Sequence, residues 1–253
     1  MEKLFELFYQ SSGICTDTRN IQKDCLFIAL KGDQFNGNIF ATQAIEAGAK
    51  FAIVDEDGFA DNHSIFQVPN SLLFLQSLAR FHRDRFDIPV IGITGSNGKT
   101  STKELIHAVL SKKYNALCTI GNLNNHIGVP LTLLRLNASH DLAIIEMGAN
   151  KPGDIAELCN IADPTHGIIT NIGKAHLEGF INFEGVLKTK TELYASVQQK
   201  GGVLFACMDD SILMNACQNY PLPLITFGSH LAQVQKKRLL ALGQVSWFSF
   251  FSY

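Results

Sequence analysis

Short apolar runs alternate with segments of helical periodicity along most of this 253-residue sequence. Apolar runs of four to six residues are typical of strands buried on both faces, and helices between them are typical of a parallel sheet covered on both sides. The apolar runs are 25–30, 51–54, 90–94, 142–146, 167–170, 203–206 and 223–227, and the helical segments are 40–49, 72–86, 99–113, 153–160, 184–199 and 209–217. The sequence therefore predicts an α/β fold, with a small N-terminal α/β domain followed by a domain built on a mainly parallel sheet.

The boundary between these two domains is predicted at Asp87-Ile88-Pro89. Proline lacks a backbone N–H and disfavours helical geometry in the residue before it, so a helix should end ahead of Pro89. We therefore assign residues 1–87 to the N-terminal domain and residues 88–229 to the central domain.

Composition excludes several classes of protein. The formal net charge is −2, whereas electrostatic binding of nucleic acid needs a clearly basic surface. No apolar run approaches the roughly 20 residues that cross a bilayer, and acidic residues stand where a signal peptide would be basic. The six cysteines form no Cys-x-x-Cys pair, which argues against zinc and a disulfide framework. We expect a cytoplasmic protein that binds no nucleic acid and does not insert into membranes.

The most informative motif is Gly92-Ile93-Thr94-Gly95-Ser96-Asn97-Gly98-Lys99-Thr100-Ser101, between a predicted strand and a predicted helix. Glycine-rich turns in this position direct backbone N–H groups toward a phosphate, and the helix N-terminus adds positive potential. Lys99 is expected to reach the β- and γ-phosphates, and Thr100 to offer a hydroxyl to Mg²⁺. The segment meets the short pattern GxxGK[ST] but not the full GxxxxGK[ST], so a purely structural turn is the alternative.

Glu146 ends the predicted strand 142–146 and is a candidate magnesium ligand. The carboxyl ends of parallel strands share one edge of a sheet, so this carboxylate is expected beside the phosphate loop. Magnesium prefers hard oxygen ligands of this kind. The alternative is an acidic side chain that is simply solvated at a strand end.

Two further polar segments are expected near the same edge. Gly121-Asn122-Leu123-Asn124-Asn125-His126-Ile127-Gly128-Val129-Pro130 is either an ordinary Asn-Gly loop or a loop that lines a ligand site, and its density of amides favours the second. Thr170-Asn171-Ile172-Gly173-Lys174-Ala175-His176-Leu177-Glu178-Gly179 follows the next strand. A loop histidine is commonly just solvated, but the position at the sheet edge makes His176 a functional candidate.

In order and spacing, the segments that begin at Gly95, Gly121, Glu146 and Thr170 resemble the motifs of the Mur ligase family. Three N-terminal segments resemble that family's UDP-substrate domain: Thr16-Asp17-Thr18-Arg19, Leu26-Phe27-Ile28-Ala29-Leu30-Lys31-Gly32 and Phe35-Asn36-Gly37. Asn36 stands where the family usually has an acidic residue. The resemblance extends from about residue 10 to about residue 228.

The sequence is most similar to the family members that add D-alanyl-D-alanine to UDP-N-acetylmuramoyl-tripeptide in bacterial peptidoglycan synthesis. This resemblance implies an ATP-dependent amide ligase that works through an acyl phosphate. The substrate carboxylate attacks the γ-phosphate of ATP, and the amine of D-alanyl-D-alanine then displaces phosphate. Both steps bring negatively charged groups together, so cations are expected to do much of the catalysis.

The resemblance also assigns roles to residues. Residues 95–101 would hold ATP, with Lys99 catalytic, and Thr100 and Glu146 would bind one Mg²⁺. His176 and Lys190 would be catalytic residues of a second Mg²⁺ site, with Lys190 carbamylated so that it presents anionic oxygens to the metal. Lys190 is preferred to Lys188 because Lys190-Thr191-Glu192-Leu193-Tyr194 fits the family pattern; without the resemblance, either would be assigned as a surface lysine. The implied substrate contacts are Thr18, Arg19, Asn122, Asn124 and Asn125.

The family has three domains, and we expect this sequence to contain the first and most of the second, without the C-terminal ligase domain. Residues 230–253 do not resemble the expected continuation and are interpreted as an aberrant tail from a shifted or prematurely ended reading frame; a membrane- or partner-binding tail is the alternative. Three functions stay open: the peptidoglycan ligase, an inactive fragment that binds nucleotide or UDP-substrate, and another P-loop enzyme such as a folylpolyglutamate-type ligase or kinase. The N-terminal motifs disfavour the third. We expect a monomer.

Overall fold

The computed structural model describes residues 2–59, 62–173 and 182–228. These residues form two parallel sheets, one of four strands and one of six, together with a two-stranded antiparallel hairpin. The predicted fold class, mixed α/β with mainly parallel sheets, is therefore confirmed. All six cysteines are free, as their spacing indicates.

The N-terminal unit is built on the four-stranded sheet. Its strands are β1 (Ile14–Cys15), β2 (Leu26–Ile28), β5 (Phe51–Val54) and β6 (Ile65–Gln67), and β3 (Lys31–Gly32) pairs with β4 (Phe35–Asn36) as the hairpin. The helices are α1 (Glu2–Tyr9), α2 (Ala41–Glu46) and α3 (Ser71–Arg83). The sheet order is β1-β2-β5-β6, with every pair parallel.

The central unit is built on the six-stranded parallel sheet. Its strands are β7 (Val90–Thr94), β8 (Ala116–Cys118), β9 (Leu142–Glu146), β10 (His166–Ile169), β11 (Val203–Cys207) and β12 (Leu224–Phe227). Its helices are α4 (Lys99–Leu110), α5 (Gly128–Leu133), α6 (Asp154–Ala162), α7 (Phe183–Gln199) and α8 (Ser211–Cys217). The order β12-β11-β10-β7-β9-β8 places β7 between strands that come later in the chain on both sides.

Several short elements were not predicted from the sequence. Strand β8 has only three residues, and its apolar pattern is too brief to distinguish from a loop. Helix α5 begins inside the amide-rich segment that was predicted as a loop. Pro130 is its third residue, and proline is tolerated in the first turn because N–H groups there have no partner within the helix.

Helix α3 joins the two units. It begins at Ser71 because the side chain of Asn70 accepts a hydrogen bond from Leu73 N (2.8 Å), and its apolar face is buried. Helix α3 also packs against α5 and α6 of the central unit. One continuous hydrophobic core therefore includes residues from both sheets and from the helix between them.

The last turn of α3 adds buried polar contacts to this packing. The guanidinium of Arg83 is buried, and its Nε and Nη1 atoms donate to Ala162 O (3.1 Å) and Phe86 O (2.6 Å). The ring Nε2 of His82 lies 2.9 Å from Leu136 O. These contacts fix the end of α3 against the C-terminus of α6 and against the connection into β7.

We predict that Arg83→Met lowers the free energy of unfolding by about 2 kcal/mol, because it leaves buried carbonyl groups without a donor. Urea unfolding followed by circular dichroism measures the change. Arg85→Met is the matched control: Arg85 is exposed and lies 4.5 Å from the Tyr9 ring, a contact whose loss costs at most about 1 kcal/mol. Equal losses in both variants would contradict the role assigned to Arg83.

Candidate functional site

Three adjacent strands of the central sheet end at the same edge. Strand β7 lies between β9 and β10, with Ile93 opposite Glu146 and Thr94 opposite Ile169. The glycine-rich loop follows β7, Glu146 ends β9, and residues 170–173 follow β10. In open parallel sheets, ligands bind at the carboxyl ends of the strands, at the point where the strand order reverses. In this sheet that point is β7. The structure thus brings together polar segments that are up to about 75 residues apart in sequence.

Two glycines shape the loop after β7. Gly95 has φ +147° and Gly98 has φ +76°, conformations that favour glycine. A Cβ on Gly95 would collide with the side chain of Thr170, whereas one on Gly98 would meet no atom within 4 Å. Helix α4 begins directly after Gly98, which has no side chain to cap it, so the first N–H groups of α4 can bind an anion such as phosphate.

The segment after β10 braces this loop. Asn171 accepts a hydrogen bond from Asn97 N and donates one to Asn97 O, both at 3.0 Å, and Thr170 Oγ1 donates to the same carbonyl at 2.6 Å. Gly173 N donates to Ser96 Oγ at 2.8 Å. The sequence predicted that both segments reach the same edge of the sheet. The structure adds that one holds the backbone of the other.

Lys99 is folded back over the loop. Its Nζ atom donates to Gly95 O at 2.7 Å and to Ser96 O at 3.3 Å. Burial lowers the pKa of this ammonium, and the nearby charge of Glu146 acts in the opposite direction. The positive charge therefore lies at the centre of the loop. Ser101, the last residue of the predicted nucleotide-binding segment, is exposed in the first turn of α4.

Glu146 is buried, with 1% of its surface exposed, which excludes the alternative of a solvated residue at a strand end. Its Oε1 atom accepts hydrogen bonds from Thr100 Oγ1 (3.2 Å) and Asn124 Nδ2 (2.8 Å). Its Oε2 atom has no hydrogen-bond partner among the described residues. A buried carboxylate oxygen without a donor is costly unless a cation compensates it, and a hydroxyl beside it completes a pair of hard oxygen ligands.

The three asparagines of the amide-rich segment have different environments. Asn124 donates to Glu146. Gly148, two residues after Glu146, packs closely on Asn124: a Cβ on Gly148 would lie 2.8 Å from Asn124 Oδ1. Asn125 Oδ1 accepts from Ile127 N and Gly128 N, at 3.1 Å and 2.8 Å, so it shapes the start of α5. Asn122 is exposed.

Lys190 and Lys188 differ sharply in environment. Lys190 is buried on α7, and desolvation lowers the pKa of its amine to about 8, with the charge of Lys99 acting in the same direction. Lys188 is exposed. Glu192, two residues further on, accepts hydrogen bonds from Gly153 N and Ala156 N, both at 2.9 Å, and so holds the start of α6 against α7. His176 lies outside the described residues.

The predicted UDP-substrate residues lie in the N-terminal unit. Thr18 and Arg19 are in a short 3₁₀ helix, and Arg19 pairs with Asp17 at 2.7 Å. That guanidinium lowers the pKa of the Asp17 carboxyl to about 2. Asn36, at the position where an acidic residue was expected, donates from Nδ2 to both carboxylate oxygens of Glu56. An acidic residue at position 36 would face Glu56 as a like charge.

The donor set at the sheet edge suits magnesium better than a transition metal. No group of three or more His, Cys, Asp or Glu side chains comes together as a metal site in the part of the chain that the structure describes. Magnesium needs no such cluster, because it is commonly held by one or two protein oxygens together with water and the phosphates of a nucleotide. Glu146 and Thr100 fit that requirement.

The sequence did not single out Lys103, which lies beside these residues. Its side chain is fully buried on α4, and its Nζ is 4.0 Å from Glu146 Oε2. The signal that could have found it is its spacing: four residues after Lys99 and three after Thr100, Lys103 lies on the same face of the helix.

Comparison with known proteins decides the family. The sequence model of the Mur ligase family catalytic domain matches residues 10–83, and that of the Mur ligase middle domain matches residues 93–249. The chain belongs to the Mur ligase family. The second match covers most of residues 230–253. All of these residues lie outside the described part of the chain, so their assignment as an aberrant tail stays a prediction.

Two sequence relatives carry the same name within this family. The UDP-N-acetylmuramoyl-tripeptide–D-alanyl-D-alanine ligase of Bacillus subtilis is 41% identical over 210 residues, which are 81% of this chain and 46% of the relative. The ligase of the same name from Synechocystis is 44% identical over 212 residues, which are 83% of this chain and 46% of the relative. This Mur ligase chain thus spans about half the length of the curated relatives that it matches.

Solved structures agree. MurF from Acinetobacter baumannii superposes with a TM-score of 0.80 at 32% identity, covering 90% of this chain and 52% of that one. MurF from Thermotoga maritima, solved in complex with ADP, gives the same score and identity over 91% of this chain and 52% of that one. The resemblance to Mur ligases is confirmed, and the comparisons do not favour a kinase or a folylpolyglutamate-type ligase. No helix among the described residues is long and apolar enough to cross a membrane.

We predict that Gly95→Ala costs about 3 kcal/mol of folding free energy, because strained backbone is combined with a collision against Thr170. Gly98→Ala is the matched control in the same loop: its φ is also positive but its Cβ would be in open space, so it should cost about 1 kcal/mol. Urea unfolding of both variants measures the difference. Equal costs would show that the close contact between this loop and Thr170 does not constrain residue 95.

Proposed function

We propose that this chain is the nucleotide- and UDP-substrate-binding part of an ATP-dependent ligase that adds D-alanyl-D-alanine to UDP-N-acetylmuramoyl-tripeptide, acting in the bacterial cytoplasm. The proposal follows from the family membership and from the names of the relatives. The observation that carries it is the buried Oε2 atom of Glu146, which has no hydrogen-bond donor among the described residues and lies at the edge of the sheet beside a phosphate-type loop. A carboxylate in that position suits a metal–nucleotide complex.

In this proposal, residues 95–101 bind the phosphates of ATP. The backbone N–H groups at the start of α4 and the ammonium of Lys99 supply the positive charge. Lys99 now donates to the carbonyls of Gly95 and Ser96, and an incoming phosphate would replace these neutral acceptors with anionic oxygens, which form stronger bonds with an ammonium. Because Asn97 is braced by residues 170–171, the loop is already ordered before the nucleotide binds.

Thr100 and Glu146 would hold one Mg²⁺, with water and phosphate oxygens as its remaining ligands. When bound, the ion neutralises charge on the phosphates as the substrate carboxylate approaches. Asn124 holds Glu146 Oε1 through its amide, so the orientation of the carboxylate is fixed by a neighbour that does not itself carry charge.

A second Mg²⁺ site is proposed at Lys190 and His176. The amine of Lys190 is buried and its pKa is lowered, so a larger fraction is neutral than in an ordinary lysine, and the neutral amine is the form that adds CO₂ to give a carbamate. The carbamate would present anionic oxygens to the metal. The charge of Lys99 acts on the Lys190 amine, and such an anion would offset that positive charge.

The UDP-N-acetylmuramoyl-tripeptide would bind the N-terminal unit through Thr18 and Arg19, and its peptide would extend toward Asn122, Asn124 and Asn125 at the edge of the central sheet. Helix α3 supports this arrangement, because it packs on the central unit while it belongs to the N-terminal one. Asn122 and Arg19 are both exposed, so both side chains are accessible to a ligand. The monomeric state stays a prediction.

The first test measures binding and turnover separately. We expect ADP to bind the full chain in the presence of Mg²⁺, and Lys99→Met to weaken that binding by about 10- to 100-fold through the loss of a charge-assisted contact. Phosphate release that requires ATP, UDP-N-acetylmuramoyl-tripeptide and D-alanyl-D-alanine together would establish the ligase. Binding without release would favour the fragment that only binds its ligands. Absence of nucleotide binding would contradict the proposed function and would leave only a fragment that binds UDP-substrate.

The second test addresses Lys190. After incubation with carbon-13-labelled bicarbonate at about pH 8.5, where an amine with a pKa of about 8 is largely neutral, we expect a carbamate signal in the carbon NMR spectrum. Lys190→Ala should abolish the signal, whereas Lys188→Ala, which removes an exposed lysine from the same helix, should retain it. A signal that persists in Lys190→Ala would exclude carbamylation of this residue.

A further inference from the structure

The side chain of Lys103 is fully buried, and the proposed function gives it no role. It lies on α4, on the face that carries Lys99 and Thr100, and points into the space between α4 and the end of β8. Lysine is almost never fully buried unless its charge is paired and its three N–H groups are bonded. Its burial therefore requires a set of partners, and those partners identify its role.

The three N–H groups of the ammonium have three close acceptors. Two are backbone carbonyls at the start of the amide-rich segment, Thr119 O at 2.7 Å and Gly121 O at 3.1 Å. The third is Glu104 Oε1 at 2.8 Å. Glu146 Oε2, at 4.0 Å, is too distant for a hydrogen bond. Lys103 thus places a positive charge near the Glu146 carboxylate without donating a hydrogen bond to Oε2.

The carbonyls that Lys103 binds belong to residues that are coupled to Glu146. Thr119 Oγ1 accepts a hydrogen bond from Glu146 N at 3.0 Å, so one residue is tied to Lys103 by its carbonyl and to Glu146 by its hydroxyl. Gly121 lies three residues before Asn124, whose amide donates to Glu146 Oε1. By binding the backbone of Thr119 and Gly121, Lys103 therefore holds the segment that places Thr119 and Asn124 beside Glu146.

We propose that Lys103 is a positioning residue for the magnesium–nucleotide site: it fixes residues 119–124 against Glu146 and leaves Oε2 of that carboxylate open to the metal. The inference rests on the proposed binding of nucleotide with Mg²⁺ at Thr100 and Glu146. It assigns no contact between Lys103 and either ligand. The function of the ammonium lies in the geometry that it imposes on the carboxylate and on Asn124.

Charge and geometry predict opposite effects, which makes the proposal testable. A positive charge 4.0 Å from the ligand oxygen disfavours Mg²⁺, so removal of the charge alone would strengthen metal binding. Loss of the hydrogen bonds would instead release residues 119–124 and weaken it. Outer-shell partners of metal ligands typically contribute about 10- to 100-fold to metal affinity.

The experiment measures the affinity of the full chain for ADP by calorimetry, once with Mg²⁺ and once with a chelator, in wild type and in Lys103→Met. Methionine keeps the length and apolar stem of the side chain but removes the charge and the donors. We expect the Mg²⁺-dependent gain in ADP affinity to fall at least about tenfold. Affinity in the chelator should stay within about twofold, because Lys103 does not contact the phosphate loop.

Glu104→Gln is the matched control, since it alters the exposed partner of Lys103 and leaves both carbonyl contacts in place. Its Mg²⁺-dependent gain should be unchanged. In Lys103→Met, an unchanged gain would overturn the proposal by showing that the lysine serves folding alone, and an increased gain would overturn it by showing that charge dominates. If wild type shows no Mg²⁺-dependent gain, the proposed function fails instead.

A second variant covers the case in which Lys103→Met does not fold. Lys103→Gln removes the charge but keeps a shorter amide that can donate to the loop carbonyls, and it is put through the same two titrations. A reduced Mg²⁺-dependent gain with unchanged affinity in the chelator supports positioning. A gain equal to or above that of wild type overturns it, and so does failure of this variant to fold, because Lys103 would then be required for the fold itself.

Discussion

The parallel pairing of β7 with β9 on one side and with β10 on the other is the constraint on which the site depends. Because the register places Ile93 opposite Glu146 and Thr94 opposite Ile169, the residues that follow each strand emerge at one edge. Backbone hydrogen bonds of the sheet thus perform the long-range positioning. The side chains need only short contacts, such as those from Thr170 and Asn171 to the phosphate loop, to complete it.

The second organising feature is a buried negative charge whose neighbours do not fully satisfy it. Among the described residues, Glu146 has hydrogen-bond donors on one oxygen only, and the ammonium of Lys103 lies 4.0 Å from the other. A carboxylate in this state is expensive in the absence of a ligand and favourable once a divalent ion is bound. The folded chain therefore maintains a buried carboxylate oxygen that a divalent ion would suit.

Much of the fold was predictable, because the apolar runs of four to six residues and the periodic helices depend on local sequence. Strands β7 and β9 have the predicted bounds. Helix α3 begins one residue before its predicted start, because Asn70 caps it, and ends three residues before its predicted end. The short elements β8 and α5 were not predicted, since three to six residues carry too little periodicity to outweigh loop-like composition. The contact of α3 with the central unit could not be predicted from the sequence either, because it depends on which face of the helix packs against which partner.

For the site, the sequence by itself determined the chemistry: a glycine-rich loop with Lys99, a carboxylate at the end of a strand, and amide-rich segments whose pattern identifies the family. Only the tertiary structure decided which of these residues touch. It separated Asn124, which binds Glu146, from Asn125, which shapes a turn, and it distinguished buried Lys190 from exposed Lys188. It also revealed Lys103. The physical reason is that motif spacing fixes the order of residues along the chain, whereas burial and hydrogen bonding depend on strand register and helix packing between distant segments.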